Sequence, residues 1–431
     1  MNQKPRTHLK NFIGAGLLAV AGLLVTRAAA VQPVLMGTPP PVTAPVAVSE
    51  DSTNNDMAVF QPSMLKRDDS LPQPLKFGPI IFRPHPSYQF IFGTGIQSSP
   101  GNPQDSVINT LGLGVAVDLG RHWTLDYTPT LRFYSNRAFR DSVDHSASLI
   151  GNVRYEDWMF GLSQTFLMTD STTAETATQT KQEAYNTLLT ASHQLNDKFS
   201  TDLSVGLQLN DVSGQQSSTT FSTLDWLNYQ AAKRLFFGIG GGVGYTMVDG
   251  GVNQPDQVYE QLRGRIQWRA SEKISFSANV GAEYRQLLAS GYQNPLNPVF
   301  GASVEYAPFK QTQISLSASR AVSSSDYYII GQTAESTTVN LNLNQRLLEK
   351  FYLNAGLGYT RTDFKISLNL PPLLLSHERT DDIYFFNARL SRSFLKRGNV
   401  AVTYQYSDNQ STEKGFTYQS QQVGFEIGFA Y

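Results

Sequence analysis

The sequence predicts an all-β chain: a closed antiparallel transmembrane β-barrel of about eighteen strands, with sixteen as the alternative count. Three observations predict it. The final stretch, Val423 to Tyr431, reads VGFEIGFAY, so that Val423, Phe425, Ile427, Phe429 and Tyr431 alternate with Gly424, Glu426, Gly428 and Ala430. A period of two gives a strand with one apolar face and one small or charged face. From Phe77 onward, similar segments recur, joined alternately by short turns and by longer polar loops. Aromatic residues gather at the segment ends, among them Trp123, Trp158, Phe199, Tyr245, Tyr284, Tyr306, Phe351, Tyr359, Tyr404 and Tyr431.

The chain begins with a leader. Lys4, Arg6 and Lys10 precede an apolar run within Phe12 to Val25, and Ala28-Ala29-Ala30 supplies a small-residue cleavage site, placed after Ala30. That is the layout of a secretory signal peptide (1–30), and the apolar run is short of the roughly 20 residues a spanning helix needs. Residues 31–76 follow as a linker with Pro33, Pro39, Pro40, Pro41, Pro45, Pro62, Pro72 and Pro74. Proline withholds ladder donors and neither structural period is sustained, so a disordered or polyproline-like periplasmic segment is expected. Its role is open.

The barrel is expected over 77–431. Its short connections are Gly120-Arg121-His122, Glu156-Asp157, Asn196-Asp197-Lys198, Ala232-Lys233-Arg234, Ser271-Glu272-Lys273, Pro308-Phe309-Lys310, Leu348-Glu349-Lys350 and Leu395 to Asn399. The long ones include Ser135–Asp144, Asp170–Gln182, Asp211–Thr220, Asp249–Asp256 and Lys365–Arg379. This asymmetry is that of a transmembrane barrel. Glu183–Leu195 and Phe221–Ala231 alternate poorly, which leaves the sixteen-strand count open. Elsewhere the alternation is clean, as where Ser315, Ser317 and Ser319, or Asn340, Asn342, Asn344 and Arg346, oppose an apolar set. In hydrocarbon every backbone group must pair internally, so the sheet has to close, with its apolar face toward lipid and its polar face toward a lumen.

These features resemble the Gram-negative outer-membrane β-barrel proteins of the porin-like group, over roughly Phe77 to Tyr431. The resemblance implies an outer-membrane location and contact with outer-membrane lipid. It also implies recognition by barrel-assembly machinery through Val423, Phe425, Ile427, Phe429 and Tyr431. Trimers are common in that group, so an oligomer is compatible with it. No plug-sized N-terminal domain stands before the barrel.

Composition narrows the functional classes. The net charge of -1 makes no electrostatic case for nucleic acid. There is no Cys, which excludes disulfides, Cys-ligated zinc and thiol chemistry. A mean hydropathy of -0.27 argues against a helical membrane protein. His85, His122, His145, His193 and His377 are isolated, without metal-ligand spacing. Asp144, His145 and Ser146 are adjacent on one strand, where neighbours face opposite ways and cannot form a nucleophile–base pair. No enzyme activity, metal or cofactor is therefore expected. The run Gly238 to Gly244 alternates with apolar residues and reads as a smooth lumenal stripe rather than a phosphate loop.

The strand parity puts Arg132, Arg154, Arg263, Arg265, Arg285, Arg346 and Arg389 on the lumen side, with the acids Asp126, Asp202, Glu283, Glu305 and Glu426. Opposed charge rings select solutes. The competing expectation, which is preferred, has Arg263, Arg265 and Arg285 pairing with Glu283 and Glu305 on neighbouring strands to brace the wall. The leading functional expectation is a passive aqueous channel for small hydrophilic solutes, because about eighteen strands enclose more space than their own side chains fill. The alternatives are a structural or surface-interaction barrel with an occluded lumen, or a component of a polymer export system. Solute identity, ion preference and lumen openness are not written in the sequence.

Overall fold

A computed structural model describes residues 75–172, 176–249, 255–325, 332–348, 350–366, 378–395 and 397–429. The leader, the linker as far as Pro74, and Tyr431 lie outside the described residues, as does most of Lys365–Arg379; the last two linker residues, Leu75 and Lys76, belong to a strand. The described chain is nineteen strands in one sheet: β1 (Leu75–Phe77), β2 (Ile80–Ser99), β3 (Asn102–Leu119), β4 (Trp123–Tyr134), β5 (Ser142–Tyr155), β6 (Trp158–Thr172), β7 (Gln179–Gln194), β8 (Phe199–Val212), β9 (Ser217–Ala232), β10 (Leu235–Asp249), β11 (Gln257–Arg269), β12 (Ile274–Leu287), β13 (Leu296–Phe309), β14 (Thr312–Ser324), β15 (Gln332–Leu347), β16 (Phe351–Ile366), β17 (Arg379–Phe394), β18 (Gly398–Ser411) and β19 (Tyr418–Phe429).

From β2 to β19 each strand pairs antiparallel with the next, and β19 closes on β2, from Gln421↔Thr94 to Gly428↔Ser87. The result is an 18-stranded closed barrel. β1 is an addition: it pairs with Ile80–Phe82, extending the edge of β2 past the β19 pairing. The two poorly alternating segments form β7 and β9, which fixes eighteen wall strands rather than sixteen.

The wall is inverted relative to a soluble domain. Val280 is 67% exposed, Leu262 64% and Ile239 60%, while Glu283 is 2% exposed and Asp202 fully buried. Most strands follow this rule through their middle, although Gln164 of β6 and Thr187 of β7 share an outward row with Leu149 and Leu207. In β19 the exposed set is Val423, Phe425, Ile427 and Phe429, and the buried set is Gln422, Gly424 and Glu426. Hydrocarbon solvates the outer face, so apolar exposure there is favourable, whereas polar groups must turn to the lumen. Outward aromatics pair across strands near the ends: Phe199 with Tyr229 and Tyr359 with Tyr384, each at 5.1 Å between ring centres, and Trp158 with His193 at 4.5 Å. Such rings suit the boundary between hydrocarbon and water.

Outward charge breaks the rule at Asp225, and also at Glu260, which pairs with the outward Val243 and Tyr284. Asp225 is exposed on the lipid-facing side of β9, four residues from the outward Phe221 on one side and the outward Tyr229 on the other. Its cause is local. Pairing of β8 with β9 skips from Asp202↔Trp226 to Val205↔Thr223. In the gap, the Ser204 hydroxyl engages Leu224 main chain, and the Ser204 N–H donates to the Asp225 carboxylate at 2.9 Å. With Leu224 and Trp226 buried on the inner face, β9 reads nearly inside-out, which explains its weak pattern in the sequence.

Short turns define one end of the barrel (the turn end) and longer connections the other (the loop end). Wall strands are 12 to 20 residues long and run past several predicted loop limits: β6 reaches Thr172 and β8 reaches Val212. The exception at the loop end is the tight turn Pro100-Gly101 between β2 and β3, with Gly101 at φ +74°.

Candidate functional site

The inner wall is the place where this fold can act on a solute. Its twelve sequence-predicted charges all lie on inward-facing positions, opposite the exposed apolar residues of their strands. Their partners differ from those expected. Arg265 reaches from β11 over β10 and β9 to the fully buried Asp202 on β8, and donates from Nε to Asn228 Oδ1 on β9 at 2.9 Å. Asn228 in turn donates to Asp202 Oδ2 at 2.8 Å. The guanidinium lies 4.5 Å from the Trp226 ring. Arg285 pairs with Glu283 on its own strand, at 2.8 and 2.6 Å, and donates to Gln257 Oε1 at 2.7 Å. Gln261 completes Glu283 at 2.6 Å. Arg263 lies across Gly281, and its Nε has no hydrogen-bond partner. Glu305 takes only a long 3.4 Å bond from Ser275, so the expected pairing with Glu305 is replaced by Asp202 and by the i,i+2 contact of Arg285.

Elsewhere Arg389 grips Glu426 with two bonds of 2.9 and 3.3 Å across β18, and Arg132 meets Asp144 at 2.7 Å. Asp126 accepts from His85 Nε2 at 2.8 Å rather than meeting an Arg. Arg154 stays at the turn end with Nε 3.3 Å from the Glu156 carbonyl, and Arg346 lies 5.9 Å from the Tyr352 ring. Most of these charges are held flat against the wall and neutralised. Burying them unpaired would be costly, so they pair.

Glycine makes the long reaches possible. The stripe Gly238, Gly240, Gly242 and Gly244 is not smooth, as the sequence suggested, because neighbours lie across it. A Cβ on Gly238 would stand 2.8 Å from Arg265 Cγ, one on Gly240 2.6 Å from the Trp226 ring, and one on Gly244 would strike the Tyr259 ring. The same device lets His85 cross Gly114 toward Asp126. The sequence analysis missed Asn228, Asp144 and His85 as partners. A glycine on the strand between two long polar residues is the signal that could have found them.

The loop end is narrowed. Ile91, Ile108 and Tyr134 form one inward row across β2, β3 and β4. Phe139, from the β4–β5 connection, stacks on Tyr134 at 5.2 Å and closes a buried cluster with Ile96. The tip of β2 leaves the ladder at a register shift between Gly93 and Ile96. There Gly95 stands at φ +69°, where a side chain would collide with the Gln419 carbonyl. The displaced tip meets β6, four strands away around the wall, where Thr172 Oγ1 donates to the Gln97 carbonyl at 2.9 Å. It also meets the β18–β19 connection, where Gly101 N donates to Gly415 O at 2.6 Å. Beyond that, Arg379 sits between the rings of Phe364 and Phe416, at 4.2 and 4.1 Å, and pairs with Asp381 at 3.1 Å. At the turn end the inward residues Arg154, Gln194, Arg269, Gln313 and Arg346 are exposed instead. The lumen is thus wetter at the turn end and crowded at the loop end.

Among the described residues no three His, Asp or Glu groups are placed to hold a metal ion.

A closed sheet with a lipid-facing apolar exterior and a polar interior defines a membrane-spanning β-barrel. Residues 259–431 match the family model described as "Putative beta-barrel porin 2". That match spans less than half of the chain, and together with the closed 18-stranded sheet it supports a porin-like outer-membrane barrel. A comparison with curated proteins finds no match. Among solved structures it is similar to OpdQ of Pseudomonas aeruginosa, at 11% identity over 81% of this chain and 97% of that one, with a TM-score of 0.42. It is also similar to OccAB3 of Acinetobacter baumannii, at 8% identity over 81% and 99%, with a TM-score of 0.44. At these levels nothing about this chain's cargo follows from those proteins.

Proposed function

We propose that the protein is a passive aqueous channel for small hydrophilic solutes across the outer membrane of a Gram-negative bacterium. The observation that carries this reading is the polar inner wall of an 18-stranded closed sheet, with inward polar side chains exposed at the turn end. Such a ring is wider than its own side chains can fill. Charges locked in pairs on the wall leave the lumen without a strong single-sign field, which suits passive passage over ion pumping or capture. The turn end is assigned to the periplasm and the loop end to the exterior, as the turn and loop asymmetry of such barrels implies. Export by the leader, cleavage after Ala30 and assembly through Val423, Phe425, Ile427, Phe429 and Tyr431 belong to the same reading.

The crowded loop end favours a second reading, an occluded barrel whose loops are the working part. Planar-bilayer recordings of the purified full chain separate the two. Stepwise conductance is expected, and it should rise when Phe139→Ala loosens the mouth. Absence of steps from both the native chain and the Phe139→Ala variant would reject the channel and leave the occluded barrel.

A further inference from the structure

We propose that the inner wall of β14–β17 is a binding track for neutral polyhydroxylated solutes, sugars or polyols, within the channel described above. Two adjacent rows of the register carry it. One runs Ser317–Asn340–Gly358–Phe385 and the next Ser315–Asn342–Gly356–Asn387. Both rows face inward, opposite the exposed Leu316, Leu341, Leu357 and Tyr384.

Three properties set these rows apart from the charged wall of β8–β12. The rows themselves contain no charge; the inward charged groups around them are Glu305, which pairs with Ser315 from β13, Arg346 toward the turn end, and Arg389, which is already occupied by Glu426. Their hydrogen-bonding capacity is unused: the side chains of Ser315, Ser317, Asn342 and Asn387 have no hydrogen-bond partner among the described residues, and Asn340 Oδ1 is likewise unpaired. Asn342 is exposed to the lumen and the other four polar side chains are half-buried. Finally, β16 supplies glycine at the centre of both rows. The place a Gly356 Cβ would occupy lies 2.8 Å from Asn387 Oδ1 and 3.0 Å from Asn342 Oδ1, so the two amides converge from either side on one point. At Gly358 a Cβ would strike the Phe385 ring, which therefore lies across the backbone as a platform on the wall.

The chemistry selects the solute class. A carboxamide both donates and accepts, as a sugar hydroxyl does, so each can satisfy the other without moving charge. An aromatic face packs against the apolar C–H face of a pyranose while the amides take its hydroxyl rim. An ion gains little over Asn342, Gly356 and Asn387, because no counter-charge lies within the rows; Glu305 stands beyond Ser315 at their β13 edge. An apolar solute would leave the amides desolvated and unpaired, which disfavours it.

The test uses the purified full chain in planar bilayers with glucose, maltose and sorbitol as neutral probes, and gluconate and glucosamine as charged counterparts of similar size. Neutral probes are expected to interrupt the current in a concentration-dependent manner, and the charged pair to do so at least fivefold less effectively. The double variant Asn342→Ala/Asn387→Ala and the variant Phe385→Ala should each lose fivefold or more in neutral-probe block while keeping the open conductance. Heat-modifiable gel mobility reports whether each variant is folded. A conducting native channel that sugars do not block, or that gluconate blocks as well as glucose does, overturns the track and leaves the channel standing. If no conductance is seen, maltose binding is measured by saturation-transfer NMR in detergent micelles. Binding lost in the double variant then supports the track without a channel, and no binding overturns it.

Discussion

Two arcs of the same inner wall handle polarity in opposite ways. Along β8–β12, Asp202, Asn228 and Arg265 bond to one another, and Glu283 and Arg285 pair closely enough to be buried at the lumen surface. Along β14–β17, Ser315, Asn342 and Asn387 satisfy nobody. Both arcs use glycine to make room, and the difference lies in what enters the room. Arg265 fills the space over Gly238 and is fixed there by two partners, whereas Asn342 and Asn387 lean over Gly356 and stay unpaired. The closed arc braces the wall, and the open arc is left for water or a solute.

This contrast can be broken or sharpened by substitution. The largest effect is expected from Asp202→Leu, which strands a buried guanidinium. Breaking a buried pair from one side costs about 3–5 kcal/mol. Urea unfolding in lipid vesicles, followed by gel mobility, should show that loss, and the double variant Asp202→Leu/Arg265→Met should recover most of it. Equal loss in single and double variants would mean that the pair is not what braces the arc.

A smaller difference is expected between Gly238→Ala and Gly356→Ala. The first meets Arg265 Cγ at 2.8 Å on a side chain that cannot yield without breaking its ion pair. Overpacking of that kind costs about 1–3 kcal/mol. The second meets only the ends of two unpaired amides, which can swing away. Its cost should stay below about 1 kcal/mol, since rotating a free side chain involves no broken bond. A ranking in the other order would erase the distinction between the arcs.

The smallest stability change belongs to Asn342→Ala, expected within about 0.5 kcal/mol because no protein partner is lost. A destabilisation above that in the same urea series would show that Asn342 is structural.

Much of the architecture was legible because lipid enforces it. Val423 to Phe429 must alternate if one side faces hydrocarbon, and the short turns ending in Lys198, Lys273 or Arg234 mark the strand ends. The strand count was harder to read at β9, because Asp225 points outward and Trp226 inward, against the pattern. Parity also placed Arg265 and Asp202 on the inner face but could not pair them. They are 63 residues apart in the chain, and their meeting depends on an intervening glycine that only the register reveals. The narrowed mouth was illegible for a similar reason. Phe139 and Gly95 look like loop and turn residues until the bulge in β2 brings its tip to β6.

Asp225 has a consequence for the bilayer itself. A carboxylate halfway down an oily wall draws water, and acyl chains beside it must dimple to let that water in. Lipid next to β8–β10 should therefore be thinner and more hydrated than lipid next to β15–β17. A polarity-sensitive spin label at Gly241, beside Asp225, should report a wetter environment than one at Leu357, and Asp225→Leu should abolish that difference.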